Sequence, residues 1–88
     1  MAIREMKWYI VQRETEYPLT WDDRAIEFES ESEAYHFAHE ANIRLGTDAD
    51  IKKQILYYDG GYISGQEALT KLLRGRHYDW YYDTNDLL

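Results

Sequence analysis

The sequence predicts an α+β fold: two helices packed on one face of a small, mostly antiparallel sheet, in the order β-β-α-β-β-α-β. Three observations predict it. Two segments open with a serine three residues ahead of a glutamate and then carry apolar residues at helical spacing. Several short runs rich in aromatic and β-branched residues stand between Pro, Asp and Gly. The chain has 88 residues, 44% of them hydrophobic, which suffices for one thin core. A chain of this length buries roughly 60–65% of its unfolded surface, so residues 1–88 read as a single small domain.

Met6 to Glu14, MKWYIVQRE, reads as the first strand, with Trp8 and Ile10 on one face and Tyr9 and Val11 on the other. Apolar residues on both faces predict a central place in the sheet. Residues 15–24 hold Pro18 and the Asp22-Asp23 pair and read as a connection. In Ala25 to Glu29, Ile26 and Phe28 alternate with Glu27 and Glu29, the pattern of a short edge strand with one wet face. Ser30 and Glu33 form a capping box for the first helix, and Gly46 is expected to end it. Ala34, Phe37, Ala38, Ala41 and Leu45 make its apolar stripe.

Ile51 to Tyr58 reads as a strand that returns through a tight Asp59-Gly60-Gly61 hairpin turn to Tyr62 and Ile63. A second capping box, Ser64 to Glu67, starts a helix whose apolar face is Ala68, Leu69, Leu72 and Leu73, and Gly75 ends it. In the closing stretch, Tyr78, Trp80 and Tyr82 share one face while Asp79, Tyr81 and Asp83 share the other. A terminal edge strand shows that alternation, and a recognition tail is the competing reading. Residues 84–88 are expected to fray.

With the short second strand set aside, the order strand–helix–strand–strand–helix–strand resembles ferredoxin-like modules, including the peptidoglycan-binding repeat of bacterial division proteins. The local likeness is WYIVQ followed by an Ala-rich helix. It concerns fold alone and carries no function.

Composition excludes several functions. The chain has no cysteine, hence no disulfide framework, iron–sulfur cluster or cysteine-based zinc knuckle. MAIREMKWYIVQRE lacks the apolar core of a signal peptide and no apolar run is long enough to span a bilayer, so a cytoplasmic protein is expected. A net charge of −7 opposes direct nucleic-acid binding. The charge is also segregated, because residues 21–50 carry nine acids against Arg24 and Arg44. Such a face is usually no more than solvated, yet it can support association.

Residue types that carry chemistry do not assemble into a motif. His36, His39 and Glu40 share the face of the first helix opposite the stripe. Two histidines at i,i+3 lack the third ligand that a catalytic zinc needs, so no metal is expected. The glycines before the second helix imitate a phosphate loop, but Gln66 stands where its lysine belongs. Ser30, Ser32 and Ser64 all fall at helix starts, where capping accounts for them. No catalytic or cofactor residue is therefore assigned, and an enzyme is not expected.

Recognition remains. Tyr35, His36, His39 and Ile43 lie on the exposed side of the first helix in this reading and, with Tyr81, are the protein-binding candidates. Glu27, Glu29, Glu31 and Glu33, with Asp79 and Asp83, are the acidic-face candidates. The expected function is a non-catalytic interaction or regulatory module, binding another protein or a second copy as a homodimer. The alternative is an acidic inhibitor that mimics nucleic acid and blocks a basic nucleic-acid-binding protein.

Overall fold

The computed structural model describes residues 3–75. Within them the elements are β1 (Lys7–Gln12), β2 (Thr20–Trp21), β3 (Arg24–Glu27), α1 (Glu31–Glu40), β4 (Ala49–Gln54), β5 (Tyr62–Ser64) and α2 (Gly65–Gly75). This is an α+β fold with its helices packed against strands and mostly antiparallel pairing. The strands fall into two small sheets rather than one: β1 pairs with β4, and β3 lies between β2 and β5. The closing strand of the expected order, through Tyr78, Trp80 and Tyr82, lies outside the described residues.

β1 is central, as its two apolar faces predict. One edge pairs antiparallel with β4 from Lys7↔Gln54 to Gln12↔Ala49. The other edge holds the second sheet. Trp8 and Phe28 exchange backbone hydrogen bonds of 3.0 and 2.9 Å, and the Leu19 N–H donates to the Ile10 carbonyl at 2.7 Å. Both helices bury apolar side chains against this assembly, around Ile10, Ile26, Phe28, Phe37, Ile63 and Leu72, although Leu73 of the expected α2 face stays exposed. The Phe28 and Phe37 rings meet at 5.5 Å between centroids, tilted by 57°.

Four expectations change. The strand at residues 24–27 is not an edge: β2 flanks it antiparallel and β5 parallel. Residues 51–58 and 62–63 do not form a hairpin, because β4 pairs with β1 while β5 joins β3. The missed hairpin is β2–β3, closed by Asp22 and Asp23 at φ 55° and 62°, the left-handed pair of a two-residue turn. The serine caps do hold, since Ser30 Oγ accepts the Glu33 N–H and Ser64 Oγ the Glu67 N–H, each at 3.1 Å, while the Glu33 carboxylate accepts the Glu29 N–H.

The fourth change concerns the end of α1. The helix stops at Glu40, five residues short of Leu45, because Asn42 takes φ 59°. The Ile43 N–H then donates to the Ala38 carbonyl at 2.9 Å and the Asn42 N–H to the His39 carbonyl at 3.2 Å. Those two bonds define a Schellman cap, whose following hydrophobe folds back onto the helix. Ile43 is that hydrophobe, and it is buried in the core rather than exposed beside the histidines. Gly46 has φ 85°, but it serves the next turn.

Candidate functional site

Three connections converge on a cleft of about 620 Å³. Tyr17 and Pro18 come from the segment between β1 and β2, where the bridge of Pro18 to Val11 holds the chain against the sheet. Thr20 and Asp23 come from the β2–β3 hairpin, and Gln12 from the end of β1. Tyr57, Tyr58, Asp59 and Gly60 come from the connection after β4. Pro18 is buried, while Tyr17 and Tyr57 stand 70% and 69% exposed at the cleft. Large aromatic surface left in water around a concavity suits a partner better than it suits folding.

Gly60 sets the distance between two walls. A Cβ at this position would run into the carbonyl oxygen of Asp23, so only glycine lets the connection touch the hairpin tip. The same contact sets the hairpin tip beside the 59–60 segment, and Asp23 and Asp59 both line the cleft. Neither carboxylate has an ion pair with any described residue. No lysine or arginine lines the cleft among the described residues.

A polar network supports the tyrosine-bearing connection. The β1–β4 ladder stops at Lys7↔Gln54, and beyond it Arg4 donates through Nε to the Leu56 carbonyl at 2.9 Å. Arg4 also pairs with Glu27 and lies 3.5 Å from the centre of the Tyr62 ring. The Tyr62 hydroxyl accepts the Tyr58 N–H at 2.7 Å and donates to the Leu56 carbonyl at 3.0 Å. Residues 56–58 are thus fixed by side chains instead of a ladder. We expect Tyr62→Phe to destabilise the domain by about 1–3 kcal/mol, since it strands the Tyr58 N–H. Faster hydrogen exchange at the Tyr58 amide, beside a lowered urea midpoint, checks this.

Tyr9 completes the network under Arg4. It is wholly buried, and its hydroxyl donates to Glu27 at 2.9 Å. Burial raises its pKa above the ordinary 10.0, while Arg4 opposes that rise. A phenol whose folded pKa is raised keeps its proton after the unfolded chain has lost it. Its contribution is therefore complete below about pH 10 and is lost as pH climbs from there through the raised value. Urea midpoints measured between pH 8 and 11 should fall more steeply in the parent protein than in Tyr9→Phe.

The sequence-predicted residues do not gather here. Tyr35, His36 and His39 are exposed on α1, and His36 Nε2 stands 3.6 Å from Glu40. Tyr35 lines a separate cavity of about 420 Å³ with Leu45 and Ile51. Ile43 is in the core, and Tyr81, Asp79 and Asp83 lie outside the described residues. The glutamate row is mostly occupied from within. Glu27 pairs with Arg4, Glu29 with Lys7 at 2.8 Å, and Glu33 accepts the Glu29 N–H at 3.0 Å. Glu31 alone of the four has no such partner among the described residues.

Among the described residues no cluster of three His, Asp or Glu side chains could hold a metal ion. None of their helices is long and apolar enough to cross a membrane. Sequence reasoning missed the tyrosines of the cleft because ILYY has strong strand propensity and was assigned to a strand. The available signal was position: Tyr17-Pro18 and Tyr57-Tyr58-Asp59-Gly60 set aromatic residues directly against turn formers. Comparison with protein-family models, curated proteins and solved structures finds no match to this chain, so the site stands on its own geometry.

Proposed function

We propose that this protein is a non-catalytic interaction module that docks a partner protein in the tyrosine cleft. The observation that carries the reading is the pair Tyr17 and Tyr57, each about two-thirds exposed, at a cleft lined by Pro18 and set by the Gly60–Asp23 contact. Tyrosines of this kind offer contact area at small entropic cost and are enriched in interfaces. The side chains of the network behind the cleft hold its far wall before any partner arrives, which lowers the cost of binding.

A second surface supports self-association. Where the β1–β4 ladder ends at Lys7↔Gln54, Met6 and Ile55 are the next residues of the two chain segments. Ile3, Met6 and Ile55 are all exposed there, and β4 has a strand partner on one edge only among the described residues. A second copy placed on this apolar end would cover both features. Light scattering should report a dimer at high micromolar concentration, and a monomer under those conditions contradicts this part of the proposal.

The docking reading is tested by comparing the parent with Tyr17→Ala/Tyr57→Ala in capture from the source cell. Exposed side chains contribute little to folding, so the urea midpoint of the variant should shift by less than about 1 kcal/mol in stability. Proteins captured by the parent should be lost by the variant. Equal capture by both would remove the cleft from consideration.

A further inference from the structure

We infer that the cleft selects a cationic side chain, arginine or lysine, carried on an extended segment of the partner protein. This inference rests on the docking reading above and names the chemistry of the ligand. Asp23 and Asp59 both line the cleft, on walls that meet where Gly60 approaches the Asp23 main chain, and neither has an ion pair with a described residue. The cleft therefore keeps two carboxylates available where a ligand would sit.

Tyr57 and Tyr58 precede Asp59 in the chain and line the cleft with both acids, and aromatic faces attract the same cations that carboxylates do. The molecule already uses this combination once, where Arg4 meets both the Tyr62 ring and Glu27. An anionic ligand such as a phosphate chain would be repelled from the same place. An extended segment fits because an open cleft walled by tyrosine and proline accepts the ridges of a polyproline-type backbone, which is ordered before it binds.

The probe is the blocked peptide acetyl-Pro-Pro-Arg-Pro-Pro-amide, titrated into the 88-residue chain labelled with nitrogen-15. Its partners for comparison carry norleucine or glutamate in place of arginine. The arginine peptide should shift the amides of Asp23, Tyr57, Tyr58 and Gly60 and should bind at least about tenfold more tightly than the norleucine peptide. The glutamate peptide should leave those amides unmoved. Raising the salt concentration should weaken the arginine peptide, as screening of exposed charge requires.

The variant Asp23→Asn/Asp59→Asn should lose this preference without losing stability, because asparagine tolerates the left-handed backbone of position 23 (φ 62°). Equal affinity for the arginine and norleucine peptides would overturn the inference, as would shifts confined to α1. Concentration-dependent shifts at the cleft without peptide would assign it to a second copy instead, and also overturn it. Failure here leaves a separate signature from failure of docking itself. Partner capture would survive Asp23→Asn/Asp59→Asn yet still be lost in Tyr17→Ala/Tyr57→Ala.

Discussion

Phe28→Ala is expected to lower the stability of the domain by about 3–5 kcal/mol, as truncation of a fully buried phenylalanine does. The total available to 88 residues is about 4–13 kcal/mol, so the loss is a large share of it. The reason is the place of this residue. Its main chain forms the bridge to Trp8 that joins the two sheets, and its ring meets Phe37 of α1 at 5.5 Å. On the other side the start of α2 comes so close that a Cβ at Gly65 would strike the Phe28 ring. Removing the ring leaves a void where two sheets and two helices converge, and close-packed backbone on several sides limits how far it can collapse. Phe28→Leu keeps most of the volume and should cost about 1.5 kcal/mol or less. Urea melts of the two variants beside the parent check the order, and equal midpoints for Phe28→Ala and the parent would contradict the core described here.

Gly60→Ala should cost about 1–3 kcal/mol, or somewhat more, although it adds a single methyl group at an exposed position. Its φ is negative-region backbone that alanine accepts, so the cost is steric rather than conformational. The methyl would meet the Asp23 carbonyl oxygen and the edge of the Tyr58 ring together. A main-chain oxygen in a tight two-residue turn cannot rotate aside as a side chain can, so the hairpin tip and the connection must separate. Separation moves Asp59 away from Asp23 and widens the cleft. The same variant should therefore lower the urea midpoint and shift the amides of Asp22, Asp23 and Tyr58, while amides in α1 stay in place. Unchanged Asp23 and Tyr58 resonances would show that the two walls do not touch.

Both helix starts were legible in the sequence because their signals are local: a serine, a glutamate three residues on, and a stripe at 3.6-residue spacing. The end of α1 was not, and Asn42 shows why. Leucine and alanine spacing continues to Leu45, but one left-handed residue redirects the chain, after which helical angles no longer apply. Ile43 changed from surface to core on that single torsion. Strand partners were harder still. The DGG sequence favours a local hairpin, whereas the actual pairing of β4 with β1 and β5 with β3 joins segments far apart in the chain. Asp22-Asp23 hid its turn because it lacks the glycine that usually marks one.

The candidate site was least legible of all, because it depends on those distant pairings. Tyr57 and Tyr58 leave the ladder after Gln54, and only then does Arg4 reach Leu56 and Tyr62 to fix them opposite Tyr17. Their aromatic character was visible in the sequence, but their juxtaposition was not. The acidic row showed the converse failure. Glu27 and Glu29 alternate as a mimic of phosphates would, yet they are engaged by Arg4 and Lys7, which the sequence gives no reason to place nearby, while Glu33 turns back to the Glu29 N–H at the helix start.

The central claim is that the cleft, and not the exposed face of α1, is the surface that meets a partner. Site-specific photo-crosslinking tests it most directly. A benzophenone amino acid placed at Tyr57 is compared with the same group at Tyr35, each side chain being more than half exposed. The two 88-residue proteins are irradiated in extract of the source cell, and the heavier adducts are resolved. A discrete covalent adduct from position 57, absent from position 35 and abolished by Tyr17→Ala, is the result this account predicts. An adduct from position 35 with none from position 57 would contradict it and return the partner to the histidine face of α1.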